Sequence, residues 1–202
     1  MSTIERNIHP VSSIILSRSN KEKLLNQHSV VIWMTGLSGS GKTTLALSLA
    51  NDLNNRGFTT QNLDGDNIRS GINNNLGFSE EDRFENIRRI AEVSKLFLDS
   101  GIICINSFIS PTKKIRQVAR QIIGEESFIE VFLDTPIEVC EDRDVKGLYK
   151  KAREGKIKNF TGIDSPFDIP EKPAITINSH KLSVPESVKN CLDKIIPLIE
   201  YK

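Results

Sequence analysis

The 202-residue sequence predicts an α/β fold of three layers, with a mainly parallel five-stranded sheet between helices. Two observations carry that expectation. The first is Gly36-Leu37-Ser38-Gly39-Ser40-Gly41-Lys42-Thr43, which fits the spacing G-x-x-x-x-G-K-[ST] and lies between an apolar run (30–34) and a helical run that opens Leu45-Ala46-Leu47. The second is the alternation of short apolar strands with helix-period segments that continues to the end of the chain.

Each element has its own signal. Residues 1–20 are polar and mixed and read as an arm outside the domain, which spans 21–202. A short helix is expected over about 20–27, then the first strand and the glycine-rich loop. The next helix stops near Arg56-Gly57, where glycine suits the residue just past a helix end. A second strand (59–63) delivers Asp64-Gly65-Asp66-Asn67, and the helix behind it breaks at Gly71 and Asn73-Asn74-Asn75. Ser79-Glu80-Glu81-Asp82 gives an acidic start to a long helix reaching Asp99. A third strand (102–105) runs into Asn106-Ser107-Phe108-Ile109-Ser110-Pro111, in which Ser110 reads as a helix N-cap and Pro111 as the first helical residue. The fourth strand (128–133) ends at Asp134-Thr135-Pro136, another helix start. A charged segment follows, then a fifth strand (174–177) and a closing helix (185–199), with no further domain expected after it.

Composition narrows the function classes. Basic and acidic residues number 27 and 26, so no global field favours nucleic acid or a membrane surface. Cys104, Cys140 and Cys191 are far apart and form no C-x-x-C pair, and the three histidines have no metal-ligand spacing. Without an apolar span or a secretory leader, the expected location is cytoplasmic, with free thiols.

The glycine-rich loop carries the strongest chemistry. Its glycines let successive N–H groups point inward, and the following helix begins with its positive end toward the same space. ATP is therefore expected along Gly36, Leu37, Ser38, Gly39, Ser40, Gly41, Lys42, Thr43 and Thr44. Lys42 would meet the β- and γ-phosphates, and the Thr43 hydroxyl would meet Mg²⁺. A plain turn has no need of a lysine and a threonine at those two places.

In such a sheet, ligands sit beyond the carboxyl ends of the strands. Asp64 and Asp66, two carboxylates separated by a glycine, suit a metal and the proton of an acceptor hydroxyl, although a locally bonded turn would use them too. Asp134 is the rival metal ligand, but Thr135-Pro136 behind it fit a helix start, and the third strand ends in Asn106-Ser107 with no aspartate. Arg69, Arg83, Arg88 and Arg89 suit phosphate or sulfate, or else a solvated helix face. Phe78 and Phe167 offer ring faces for a base, or ordinary packing. Seven basic residues between Glu141 and Lys158 are favoured as a charged lid, about 141–168, over a merely solvated helix, because excluding water protects the γ-phosphoryl group.

Taken in order, several blocks resemble the adenylylsulfate kinase family. They are the glycine-rich loop, Leu63-Asp64-Gly65-Asp66-Asn67-Ile68-Arg69, Leu76-Gly77-Phe78-Ser79, Asp82-Arg83-Phe84-Glu85-Asn86-Ile87-Arg88-Arg89, Ser107-Phe108-Ile109-Ser110-Pro111, Asp144-Val145-Lys146-Gly147-Leu148-Tyr149, and Lys158-Asn159-Phe160-Thr161-Gly162-Ile163-Asp164-Ser165-Pro166. The loop alone is shared by a vast set of P-loop NTPases, whereas the ordered combination is far more specific and covers about residues 20–200. The resemblance implies transfer of the ATP γ-phosphoryl group to the 3′-hydroxyl of adenylyl sulfate (APS) in sulfate assimilation, by a homodimer. The substrate residues then fall on Arg69, Phe78, Arg83, Asn86, Ile109 and Ser110, with Phe167 opposite Phe78 around adenine. From the lid, Arg143 goes to ATP and Lys146 to the substrate, while Asp66 lies near the acceptor hydroxyl and Asp64 supports the metal. A phosphoserine described for some members would fall on Ser110, but the helix-cap reading and the modest needs of in-line transfer speak against a required carrier. Two departures stand out: Phe167 sits where the family often has tyrosine, and the stretch 168–173 matches only loosely.

Two other functions are compatible with the loop. Another small-molecule kinase, acting on a nucleoside monophosphate, gluconate or shikimate, would share the first strand, the loop and a lid. A GTP-dependent switch should carry N-K-x-D after a late strand, yet the only Asn-Lys pair is Asn20-Lys21, followed by Glu22-Lys23.

Overall fold

The structure, a computed structural model, describes residues 14–202. Most of the arm read at 1–20 lies outside the described residues. The helix expected from about Asn20 begins two residues earlier, as α1 (Arg18–Leu25), because Ser17 accepts from the Asn20 amide and caps it. Arg18 and Glu22 tie α1 to the body: Arg18 donates to Ser127 Oγ at 2.9 Å, and Glu22 accepts from the Ser29 amide at 2.8 Å and from Ser29 Oγ at 2.7 Å. Burial pushes the Glu22 carboxyl up, but bonds from Ser29, Arg18 and His28 outweigh it and hold the pKa at about 2.

Five strands form one sheet in the order β2-β3-β1-β4-β5, with every pairing parallel. They are β1 (Val31–Thr35), β2 (Thr60–Asp64), β3 (Ile103–Ser107), β4 (Phe128–Leu133) and β5 (Ile175–Ile177). The three-layer fold read from the sequence is the observed one. Central β1 is buried at every residue, and its side chains alternate between the two faces. Ile32 and Met34 pack with Leu45 and Leu49 of α2 (Lys42–Asn55) and with Cys191 and Ile195 of α8 (Val184–Ile199). Val31 and Trp33 pack with Ile87 and Ile90 of the helix Glu80–Asp99 and with Ile115 and Ala119 of the helix Lys113–Ile123. Burial on both faces is why the strand reads as one continuous apolar run. Trp33 is wholly buried, and truncating it to alanine would cost roughly 3–5 kcal/mol.

This layering creates the crevice. The helices that follow β1 and β3 cover opposite faces of the sheet, yet β1 and β3 are neighbours, so the loops leaving their carboxyl ends diverge. α3 (Gly65–Ser70) follows directly on β2, and in chain order the two helices just named are α4 (Glu80–Asp99) and α5 (Lys113–Ile123). Ser79 caps α4 by accepting from the Asp82 amide, and Ser183 opens α8 with a full capping box to Glu186.

The loop after β3 differs from expectation in two ways. β3 runs on through Asn106 and Ser107, because buried Asn106 is satisfied by donating to Ser94 Oγ at 2.7 Å and Ser107 pairs in register with Asp64. Ser110 is also not the N-cap of α5. Thr112 is, accepting from the Ile115 amide, whereas Ser110 has a left-handed φ of 45° and gives its hydroxyl oxygen to the Trp33 indole N–H at 2.9 Å. An N-cap needs an extended backbone, which Ser110 does not have.

The segment expected as a lid, about 141–168, takes in the last turn of α6 (Ile137–Arg143) and all of α7 (Leu148–Arg153), and Tyr149, Ala152 and Phe160 from it form a small cluster with Cys140. All three cysteines are buried and free. No helix among the described residues is long and apolar enough to cross a membrane.

Candidate active site

The loop between β1 and α2 closes tightly. Gly39 has a φ of +75°, and a Cβ there would lie 3.0 Å from the Cys140 carbonyl oxygen, so a side chain would meet both strain and backbone. A Cβ on Gly36 would lie 2.9 Å from the Leu133 carbonyl oxygen. Gly41 is the residue before α2, and exposed Thr43 and Thr44 follow Lys42 in its first turn. Lys42 is 8% exposed, and its ammonium donates to the carbonyls of Gly36 at 3.0 Å and Leu37 at 2.7 Å. Burial pushes it down from 10.5 to about 8, with Cys140 and Asp64 pulling the other way.

Neighbouring elements brace this loop. The Ser40 carbonyl accepts from Ser179 Oγ at 2.7 Å and Thr135 Oγ1 at 3.4 Å, and the Ser38 carbonyl accepts from the Tyr149 hydroxyl at 2.9 Å. Arg143 donates to the Gly39 carbonyl at 3.3 Å and the Ser179 carbonyl at 3.0 Å. Leu37 packs against the lid cluster. At the end of β4, Thr135 reaches the loop while Asp134 is exposed.

Asp64 joins the loop to the next two strands. Its Oδ2 accepts from Thr43 Oγ1 at 2.8 Å and Ser107 Oγ at 2.8 Å, while Oδ1 caps α3 by accepting from the Asp66 amide at 3.1 Å. Burial raises its pKa, but the bonds from Ser107, Thr43 and Asp66 bring it below the ordinary carboxylate value, so the group is an anion and an acceptor only. Asp66 is one residue into α3, exposed, and paired with Lys146 from the turn between α6 and α7. A pair this exposed adds little stability.

The remaining predicted residues divide into clusters. Arg69 donates to the carbonyls of Leu76 at 3.1 Å and Gly77 at 2.8 Å, and its guanidinium lies 4.3 Å from the centre of the Phe78 ring, which is 61% exposed. Arg83 donates to the Phe78 carbonyl at 3.0 Å, to Thr161 Oγ1 at 2.8 Å and to the Asn159 carbonyl, tying the start of α4 to the lid segment. Buried Asn86 accepts on Oδ1 from Asn73 Nδ2 at 2.9 Å. The Ile109 carbonyl accepts from Thr35 Oγ1 at 2.6 Å. Phe167 stacks on Phe132 with ring centres 6.1 Å apart, so it and Phe78 have different neighbours. Arg88 and Arg89 both bind Glu85, at 2.7 and 2.8 Å, which decides the helix-face alternative for them.

Lys42, Thr43, Asp64, Asp66 and Lys146 thus come together, and Arg69, Phe78 and Arg83 form a second group. Unforeseen were Ser107 on Asp64, Ser179 and Tyr149 behind the loop, Trp33 on Ser110, and Arg116 beneath the Ser110 loop. The polar strand end at Ser107 was a visible signal. The others carry no local mark.

Comparisons with known proteins show the family. The family model for Adenylylsulphate kinase matches residues 28–178. The chain is 61% identical over 198 residues to the adenylyl-sulfate kinase of Bacteroides thetaiotaomicron, covering 98% of each. It is 51% identical to adenylyl-sulfate kinase 3 of Arabidopsis thaliana, covering 93% of this chain and 89% of that one. Its fold superposes with a TM-score of 0.81 on the Mycobacterium tuberculosis APS kinase solved in complex with AMPPNP and APS, at 42% identity over 84% of this chain and 98% of the other. The chain therefore belongs to the adenylyl-sulfate kinase family.

Proposed function

We propose that the protein transfers the γ-phosphoryl group of ATP to the 3′-hydroxyl of adenylyl sulfate, giving 3′-phosphoadenylyl sulfate and ADP. The carrying observation is Asp64 Oδ2, which bridges Thr43 of the phosphate loop and Ser107 of the adjacent strand and so puts a carboxylate where donor and acceptor sides meet. The loop amides and Lys42 hold the ATP phosphates, and Arg143 sits beside them. In the transfer, Asp66 takes the proton of the 3′-hydroxyl, that oxygen bonds to the γ-phosphorus, and the bond to the bridging oxygen breaks to release ADP. Such a transfer asks mainly for positioning and charge stabilisation. Asp64 and Thr43 present hard oxygen donors side by side, the kind of partial ligand set that suits Mg²⁺ completed by phosphate and water. Bound there, Mg²⁺ would neutralise charge on the phosphates.

On the acceptor side, Phe78 and Phe167 take the adenine between them. Arg69, Arg83, Asn86, Ile109, Ser110 and Lys146 hold the rest of the nucleotide. Direct transfer is favoured over a phosphoserine carrier because Ser110 is 2% exposed and its hydroxyl oxygen is engaged by Trp33. A homodimer in the cytoplasm is the assembly and location that go with this activity, and light scattering tests the first.

A coupled ADP-release assay with and without adenylyl sulfate tests the function. We expect release that depends on adenylyl sulfate. Preferential phosphorylation of gluconate or a nucleoside monophosphate would overturn it.

A further inference from the structure

Arg116 is the least expected charge in the molecule. It lies on α5 and is 5% exposed, and its Nε meets Glu130 Oε1 at 3.0 Å. Glu130 is itself 6% exposed in the middle of β4, among Phe128, Ile129, Val131, Phe132 and Leu133. Its other oxygen takes Arg120 at 3.1 Å. A buried ion pair is a poor source of net stability, since desolvation offsets most of the attraction. What the pair does supply is direction. A guanidinium is a rigid planar fork of five donors, and anchoring one edge aims the rest.

Those other donors reach two separate segments. Nη1 donates to the Ser110 carbonyl at 2.9 Å, and Nη2 donates to the Asp168 carbonyl at 2.7 Å. The two segments are also stitched directly: the Asp168 amide donates to the Pro111 carbonyl at 2.8 Å, and Asp168 Oδ2 accepts from the Lys113 amide at 2.9 Å. Ser110 is held in a left-handed conformation that a non-glycine residue rarely adopts, so some outside constraint must keep it there. Phe167, adjacent to Asp168, has its ring 5.9 Å from the Arg116 guanidinium.

We propose that Arg116, aimed by Glu130, is a positioning residue that locks the Ser110–Pro111 turn to the Phe167–Asp168 segment and thereby sets affinity for the acceptor nucleotide but not for ATP. The substrate half of this inference rests on the function proposed above; the locking half does not. Arg116 touches neither substrate in this scheme. It fixes the spacing between the Ser110 turn and the Phe167 ring, two acceptor-side walls delivered by distant parts of the chain.

The test compares wild type with Arg116→Lys and Asp168→Ala, each as the full chain. Arg116→Lys keeps a cation beside Glu130 but loses the fork, and should raise KM for adenylyl sulfate about tenfold, the worth of a hydrogen bond to a charged group, with KM for ATP within about twofold. Asp168→Ala leaves the buried pair intact and should raise the same KM about threefold, the worth of an ordinary hydrogen bond. In Arg116→Lys, the Lys113 and Asp168 amides should exchange hydrogen faster than in wild type. Unchanged KM for adenylyl sulfate in both variants, or a parallel rise in both KM values, would overturn the inference. Should Arg116→Lys fail to fold, Asp168→Ala decides by the same KM split. If wild type shows no turnover dependent on adenylyl sulfate, the proposed function fails, and amide exchange alone then decides whether the lock exists.

Discussion

In the proposed function the donor side of the crevice is chiefly one contiguous run, residues 36–44, that works through backbone amides, backbone curvature and Lys42, with Arg143 beside it. The proposed acceptor side draws Asp66 and Arg69 from beyond β2, Phe78, Arg83 and Asn86 from the start of α4, Ser110 from beyond β3 and Phe167 from the lid, and side-chain bonds hold these pieces in place. Gly39 shows the first strategy, with a conformation and a clearance that admit no side chain. Arg83 and Arg116 show the second, each bridging segments more than fifty residues apart. Phosphate is common to many reactions and a local loop suffices to grip it. A particular acceptor needs a shape, and a shape needs walls from several directions.

Breaking the donor side should cost most. Lys42→Ala should lower kcat about a thousandfold, as loss of one strong electrostatic contact to the transferring group does, with adenylyl sulfate affinity nearly unchanged. Steady-state kinetics with each substrate varied would show it, and a change confined to KM for adenylyl sulfate would contradict the division. Asp66→Asn should lower kcat about a hundredfold, the lower range for a general base, while ATP binding measured by calorimetry is kept. Unchanged turnover would remove Asp66 from the proton-accepting role.

Affinity changes should sort by side. Phe78→Ala should weaken adenylyl sulfate binding about tenfold, in line with loss of one stacked base, and leave ATP alone. Equal affinity in the variant would dispose of the stacking role. The pH dependence probes the donor side. The folded pKa of Lys42, about 8, lies below its ordinary 10.5, so in the free protein its charge is lost as pH rises through about 8. Phosphate favours the charged form, so ATP affinity should fall several-fold between about pH 7 and pH 9, where the free protein must first regain a proton to bind well. Stability moves in the opposite direction. Burying the charged lysine is unfavourable below about 8, and that cost disappears as pH rises toward 10.5, because the unfolded chain binds more protons in that window. Titration calorimetry across the range checks the affinity; flat affinity there, in a buffer that keeps the fold, would refute the assignment. The smallest effect is expected of Ser110→Ala, which should keep turnover within about threefold, the loss of one neutral hydrogen bond from Trp33. A dead variant that still binds both nucleotides would restore the phosphoserine route.

The sequence by itself determined the sheet, because strands buried on both faces read as apolar runs and helices with one buried face show their period. It also determined the phosphate loop, whose glycines and Lys42 act on the loop's own backbone, although Ser179 and Tyr149 brace it from distant parts of the chain. β3 runs longer than its apolar stretch because Asn106 finds Ser94 twelve positions away, and Ser110 resembles a cap in sequence although its hydroxyl is claimed by Trp33. The Asp64–Thr43–Ser107 bridge and the Arg116 fork were likewise left to the tertiary structure. Their meaning lies in which strands become neighbours, and β1 acquires β3 and β4 as neighbours only once the chain has folded and strand order is set.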